Sequence, residues 1–205
     1  MPSRSAIIQD IKQKMDEVGL ATMAYYYFDF QDVKKQDCFG LLSSLISQLA
    51  AESDSCYNLL SQLYSDHTRG IEKPYIDSLK KCLTDILSLQ GQAPIYIFVD
   101  ALDESPNSPG NPSPREEVLE LIEELVKYDI PNLHLCVASR PEIDVRKVLE
   151  PLASRHISLH DESGQKEDII TYIKSVVRSD KTMQQLGEKH QNRVIDTLSR
   201  RVDGV

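Results

Sequence analysis

APIYIFVDAL, residues 93–102, followed at once by Asp103 and Glu104, is the stretch that decides the fold. An apolar run from Ile95 to Val99 begins after Pro94 and stops abruptly at three carboxylates, Asp100, Asp103 and Glu104. Short continuous apolar runs of this kind read as strands buried on both faces of a parallel sheet. A carboxylate at the C-terminal end of such a strand lies in the crevice where open α/β sheets bind ligands. Grouped acids repel one another unless a cation or a shared proton relieves them. A divalent metal carrying phosphates gives that relief. The plainer alternative is that Asp103 and Glu104 solvate a turn while Asp100 caps a following helix.

A second apolar run, residues 133–138, ends in Ser139, Arg140 and Pro141. If the two strands are parallel, Arg140 emerges on the same sheet edge as Asp100. A metal-ligating acid and a guanidinium then face one crevice, which suits a polyphosphate because Arg offers a planar fork of donors. A simple ion pair between Arg140 and Asp103 or Glu104 is compatible with this.

The segment IFVDALDE, residues 97–104, resembles the Walker B motif of NACHT-type (STAND) signalling NTPases, with Ala101 as the small residue favoured after the magnesium Asp. LCVASRPE, residues 135–142, is similar to that family's sensor 1 strand, with Arg140 as the sensor. YYYFDF, residues 25–30, and the helix start QDCFGLL, residues 36–42, resemble the second strand and helix of fungal NACHT proteins with a nephrocystin-3-like N-terminal domain. The likeness covers most of residues 4–178 and ends near the Asp203-Gly204 pair. It implies a P-loop NTPase that binds ATP or GTP with Mg2+ and couples slow hydrolysis to signal transduction. By that resemblance Asp100 holds the magnesium, Asp103 or Glu104 orients or activates the attacking water, and Arg140 senses the γ-phosphate. Asp29, at the end of the YYYFDF strand, is a further candidate for the same crevice.

One part of the pattern is missing. A P-loop reads G-x-x-x-x-G-K-[ST], with backbone N–H groups that cradle phosphates, and these 205 residues contain no Gly-Lys dipeptide. A helix expected over residues 4–18 has Ala6, Ile7, Ile11, Met15 and Val18 at helical spacing, and its SAIIQDI run resembles the helix that comes after the family's P-loop. The resemblance therefore implies a chain that starts just after the phosphate cradle, inactive alone, with the remainder of a parent protein as its partner. A nucleotide-free interaction module that keeps the fold is the alternative.

Around this nucleus, strands are expected at about 23–30, 95–100, 133–139 and 156–159. Helices are expected at about 4–18, 37–52, 74–90, 114–128, 166–178 and 190–202. The alternation is that of a doubly wound α/β sheet of the P-loop NTPase kind, here without its first strand. Residues 1–160 would form the incomplete nucleotide-binding core and 161–205 the start of a helical subdomain. Right-handed crossovers and the resemblance place strand 95–100 between 23–30 and 133–139. The place left beyond 133–139 by the absent strand predicts a tendency to self-associate. The helix over 114–128 carries Ser113 as N-cap, Pro114 at N1 and Glu116 to close a capping box.

A formal net charge of −9 argues against nucleic acid as a partner. No apolar run approaches the roughly 18 residues that span a membrane. Cys38, Cys56, Cys82 and Cys136 are widely spaced without a C-x-x-C pair, and read as reduced thiols of a cytoplasmic protein. His156 and His160 lack a third ligand at metal spacing, and the aromatic run from Tyr25 to Phe28 reads as strand packing.

Overall fold

The computed structural model describes residues 21–67, 73–91, 93–108, 110, 112–158 and 165–201. The helix expected over 4–18 lies outside them. The chain divides into two units, Met1–Ala153 and Ser154–Val205.

Within the first unit the elements run β1 (Thr22–Tyr27), α1 (Cys38–Ala50), α2 (Asp54–Asp66), α3 (Ile76–Leu87), β2 (Ile95–Asp100), α4 (Pro114–Lys127), β3 (Leu133–Val137) and α5 (Ile143–Leu152). The three strands form one parallel sheet with β2 in the middle, as the sequence order and crossover rule predict. The register pairs Tyr27 with Asp100 and Val99 with Val137, so the three C-terminal ends lie level. The segments leaving the three strands therefore gather at one edge of the sheet.

Along β2 burial alternates: Ile95, Ile97 and Val99 are buried, whereas Tyr96, Phe98 and Asp100 are half-buried. The expected continuous burial on both faces is thus replaced by a strand with one dominant core face. Ala24 and Tyr26 of β1 share that core, together with Leu41, Leu42 and Leu45 of α1, Leu83 and Ile86 of α3, and Val118 and Ile122 of α4. On the other face Tyr96 stacks on the exposed His134 ring at 4.5 Å, and Tyr25 meets Tyr27 edge-on at 5.6 Å. The aromatic run packs along the strand, as expected.

The helix starts obey local chemistry. The Asp37 carboxylate caps α1 by accepting from the Gly40 N–H at 2.8 Å. At α4 the expected capping box is complete: Ser113 Oγ accepts from Glu116 N at 3.2 Å, and Glu116 Oε2 accepts from Ser113 N at 2.7 Å. Two helices of this unit go beyond the sequence expectation. Ser53 caps α2, and Cys56, Leu59, Leu60 and Leu63 at helical spacing turn towards the core, although only Cys56 is fully buried. In α5, Pro151 obscures the pattern from inside the last turn, and Val145 is its single buried residue.

Cys38, Cys56 and Cys82 are buried, Cys136 is exposed, and all four are free thiols. Burial pushes the Cys38 thiol up to about 12.

In the second unit, α6 (Gln165–Ser179), α7 (Lys181–Gln184) and α8 (Glu188–Arg201) come in succession, and α6 packs on α8. The strand expected at 156–159 does not form over 156–158, and residue 159 lies outside the described residues. Backbone polar groups of a strand need a neighbour to bond, and among the described residues no strand lies beyond β3. No described helix is long and apolar enough to cross a membrane.

Candidate functional site

Beyond β2 the chain turns through Ala101, which sits in the left-handed region at φ 54 and ψ 43. A 3-10 turn, Leu102–Glu104, comes next. Leu102 is 0% exposed and roots this turn in the core. Its N–H donates to Ala138 O at 3.2 Å, while Ala138 N donates to Val99 O at 2.8 Å and Phe28 N to Asp100 O at 3.1 Å. The turn is thus docked against the extensions of both neighbouring strands.

The left-handed conformation costs a non-glycine residue on the order of 1 kcal/mol, and a β-branched residue more. Ala101→Val is expected to lower stability by about 2 kcal/mol in urea unfolding. A variant as stable as the parent would show that the bend does not need a small residue.

The three carboxylates do not converge. Asp103 is turned to Arg140: Oδ1 accepts from Arg140 N at 3.0 Å and Ser139 Oγ at 3.4 Å, and Oδ2 lies 3.5 Å from Arg140 Nε. Glu104 Oε2 accepts from the Phe30 N–H at 3.2 Å. Asp100 Oδ1 accepts from Ala101 N at 2.9 Å. By the strand's alternation Asp100 belongs with Tyr96 and Phe98, and its charge, after burial, is a cause of the raised thiol pKa of Cys136. The repulsion expected of grouped acids is relieved here by an arginine and by backbone N–H groups.

Asp103, Glu104 and Arg140 do meet around one cleft of about 420 Å³, with Phe30, Gln36, Ser105, Pro106, Arg115 and Glu142 as the remaining walls. Asp100 is not among its lining residues. Nor is Asp29, whose Oδ1 accepts from Gln31 N within its own turn. Arg140 is 80% exposed along its side chain, whereas Asp103 is 10% exposed.

Two cleft residues escape a reading of the sequence alone. Ser105 is fully buried and its Oγ donates to Gln36 O at 2.8 Å, strapping the turn to the segment after β1. Arg115 is 8% exposed. Its Nε donates to Ser105 O at 2.9 Å, Nη2 to Asp103 O at 2.6 Å and Nη1 to Asp144 Oδ2 at 3.2 Å. The sequence does hold one signal for it. A cation in the first turn of a helix opposes the helix dipole, so Arg115 needs acceptors elsewhere.

Among the described residues no group of three His, Cys, Asp or Glu side chains could hold a metal ion. Magnesium in phosphate sites needs less, one or two carboxylates with phosphate and water completing the shell. The donor set here fits such a shared ion and not an all-protein cage.

These features define a class: a parallel α/β domain with an acidic turn and an arginine paired to it on one cleft at the C-terminal sheet edge. Residues 4–140 match the family described as nephrocystin 3, N-terminal, which is well over half of the chain. The chain belongs to that family. No curated protein and no solved structure matches it.

Proposed function

We propose that this chain is part of a nucleotide-dependent signalling switch of the NACHT kind, binding and slowly hydrolysing ATP or GTP when its parent polypeptide supplies a P-loop. The observation that carries this reading is the meeting of Asp103, Glu104 and Arg140 at one cleft beyond the sheet's C-terminal edge. Membership of the nephrocystin 3 N-terminal family supports it.

A bound magnesium nucleotide would bring the transferable phosphoryl group and the charge that offsets the carboxylates. Asp100, which lies on the same sheet edge but outside the cleft's lining, would hold the ion by the family resemblance, directly or through water. Arg140, exposed and joined to Asp103 by a single long ion pair, can turn to a terminal phosphate oxygen. Asp103 or Glu104 would then accept a hydrogen bond from the attacking water and orient it.

A second reading, a nucleotide-free interaction or self-associating module, is favoured by two observations. The sequence lacks a Gly-Lys dipeptide, and each acid of the turn already has a partner within the chain. The chain by itself is accordingly expected to show no ATPase activity and at best millimolar nucleotide affinity, since backbone cradles give most phosphate contacts. Micromolar binding of magnesium and ATP by isothermal titration would contradict this.

In a longer polypeptide that carries a P-loop, Asp100→Asn should abolish magnesium-dependent hydrolysis. Glu104→Gln should slow hydrolysis and leave nucleotide binding largely intact. If Glu104→Gln turned over at the wild-type rate, the role of Glu104 would be wrong.

A further inference from the structure

The geometry points to Arg115 as the positioning residue of this cleft: one buried guanidinium fixes the turn carrying Asp103 and Glu104 and, through Asp144, the helix that comes after Arg140. The inference rests on the cleft being the working site, but its test requires no nucleotide.

Guanidinium is the side chain able to do this, because its donors leave one rigid plane in different directions. Nε and Nη2 take the carbonyls of Ser105 and Asp103, at 2.9 and 2.6 Å. Both carbonyls lie at the end of a turn whose own bonds run elsewhere, from Glu104 N to Ala101 O and from Ser105 N to Leu102 O. Without Arg115 they would lose their partner where water is scarce, and a buried acceptor left unpaired is costly. Nη1 reaches Asp144 in the first turn of α5. Asp144 is held a second time by Asn107 Nδ2 at 3.1 Å, from the loop that leads to α4.

The contacts close a ring. The Asp103 carboxylate binds Arg140, the chain runs four residues on to Asp144, Asp144 binds Arg115, and Arg115 returns to the Asp103 carbonyl. Asp103 is thereby held at its backbone by one arginine and at its side chain by another. Displacing either Arg115 contact changes the aim of both acids and the approach of Arg140.

Two amides report on that aim. The N–H of Arg140 donates to the Asp103 carboxylate and the N–H of Phe30 to the Glu104 carboxylate. Hydrogen bonds to carboxylates are strong, and they move amide proton resonances downfield. In ¹H–¹⁵N spectra of the full chain, Arg115→Gln is expected to shift both resonances upfield while the core amides of Ile97 and Leu45 stay in place. Arg115→Lys should fail to restore them, since one ammonium cannot serve three acceptors set in different directions. Asp144→Asn, which keeps the side chain's shape and serves as the second variant should Arg115→Gln fail to fold, should move Arg140 and leave Phe30 unchanged. Retention of both resonances in Arg115→Gln, full rescue by Lys, or an unmoved Arg140 in Asp144→Asn would each overturn the proposal. A failure of a longer, P-loop-bearing polypeptide to bind magnesium and ATP would instead count against the proposed function and leave these shifts untouched.

Discussion

Replacing Leu102 with Ala should lower the unfolding free energy by about 3 kcal/mol, within the range of about 2 to 5 for a buried Leu truncation. Leu102 is fully buried and is the one core residue of the acidic turn. Truncation removes its burial and leaves a cavity beneath Asp103 and Glu104. The surrounding backbone cannot easily collapse into it, because the turn is bonded to Ala138 on one side and Arg115 on another. Urea unfolding monitored by circular dichroism gives the value. A loss well under 1 kcal/mol would mean that the turn floats on hydrogen bonds alone and that Leu102 does not anchor it.

Gly40→Ala is expected to destabilise the chain by about 2 kcal/mol, although alanine is ordinarily the better helix residue by about 1 kcal/mol. A Cβ at this position would collide with the carbonyl oxygen of Lys34 and lie 2.6 Å from Tyr26 Oη. The Lys34 carbonyl is backbone, and Tyr26 Oη also donates to it at 3.4 Å, so neither can give way cheaply. The collision outweighs the propensity gain. Because Gln36 stands between Lys34 and α1 and receives the Ser105 hydroxyl, the disturbance should reach the cleft wall. Thermal or urea unfolding checks the sign, and a more stable Gly40→Ala would show that the segment 33–37 adjusts freely.

The parallel sheet is legible in the sequence because β2 and β3 are short, apolar and bounded by chemistry. Pro94 opens one of them, and Asp100 and Arg140 mark where the two turn out to the same edge. The α4 cap is legible because Ser113, Pro114 and Glu116 act within four residues of one another. The direction of Asp100 is hidden by its own strand. With residues 95–99 all apolar, no polar alternation reveals that 95, 97 and 99 share a face and that Asp100 belongs to the other. Helix α2, in contrast, leaves a signal of its own, Ser53 as N-cap followed by Cys56, Leu59, Leu60 and Leu63 at helical spacing, although the expected elements do not include it. Arg115 is hidden by distance: its acceptors lie 10, 12 and 29 residues away, and no local pattern encodes such a contact.

The two arginines that hold Asp103 live under different rules. Arg115 is largely out of reach of salt and solvent, and its grip changes only if the fold changes. Arg140 stands in water, where an exposed ion pair contributes little and added salt weakens it further. Asp103 is therefore moored on one side and merely tethered to its partner on the other. An anion that drew the Arg140 guanidinium away would leave Asp103 still held by the Arg140 N–H and the Ser139 hydroxyl. The acid of this turn is thus anchored from inside the fold, and its solvent-side partner is the element free to move.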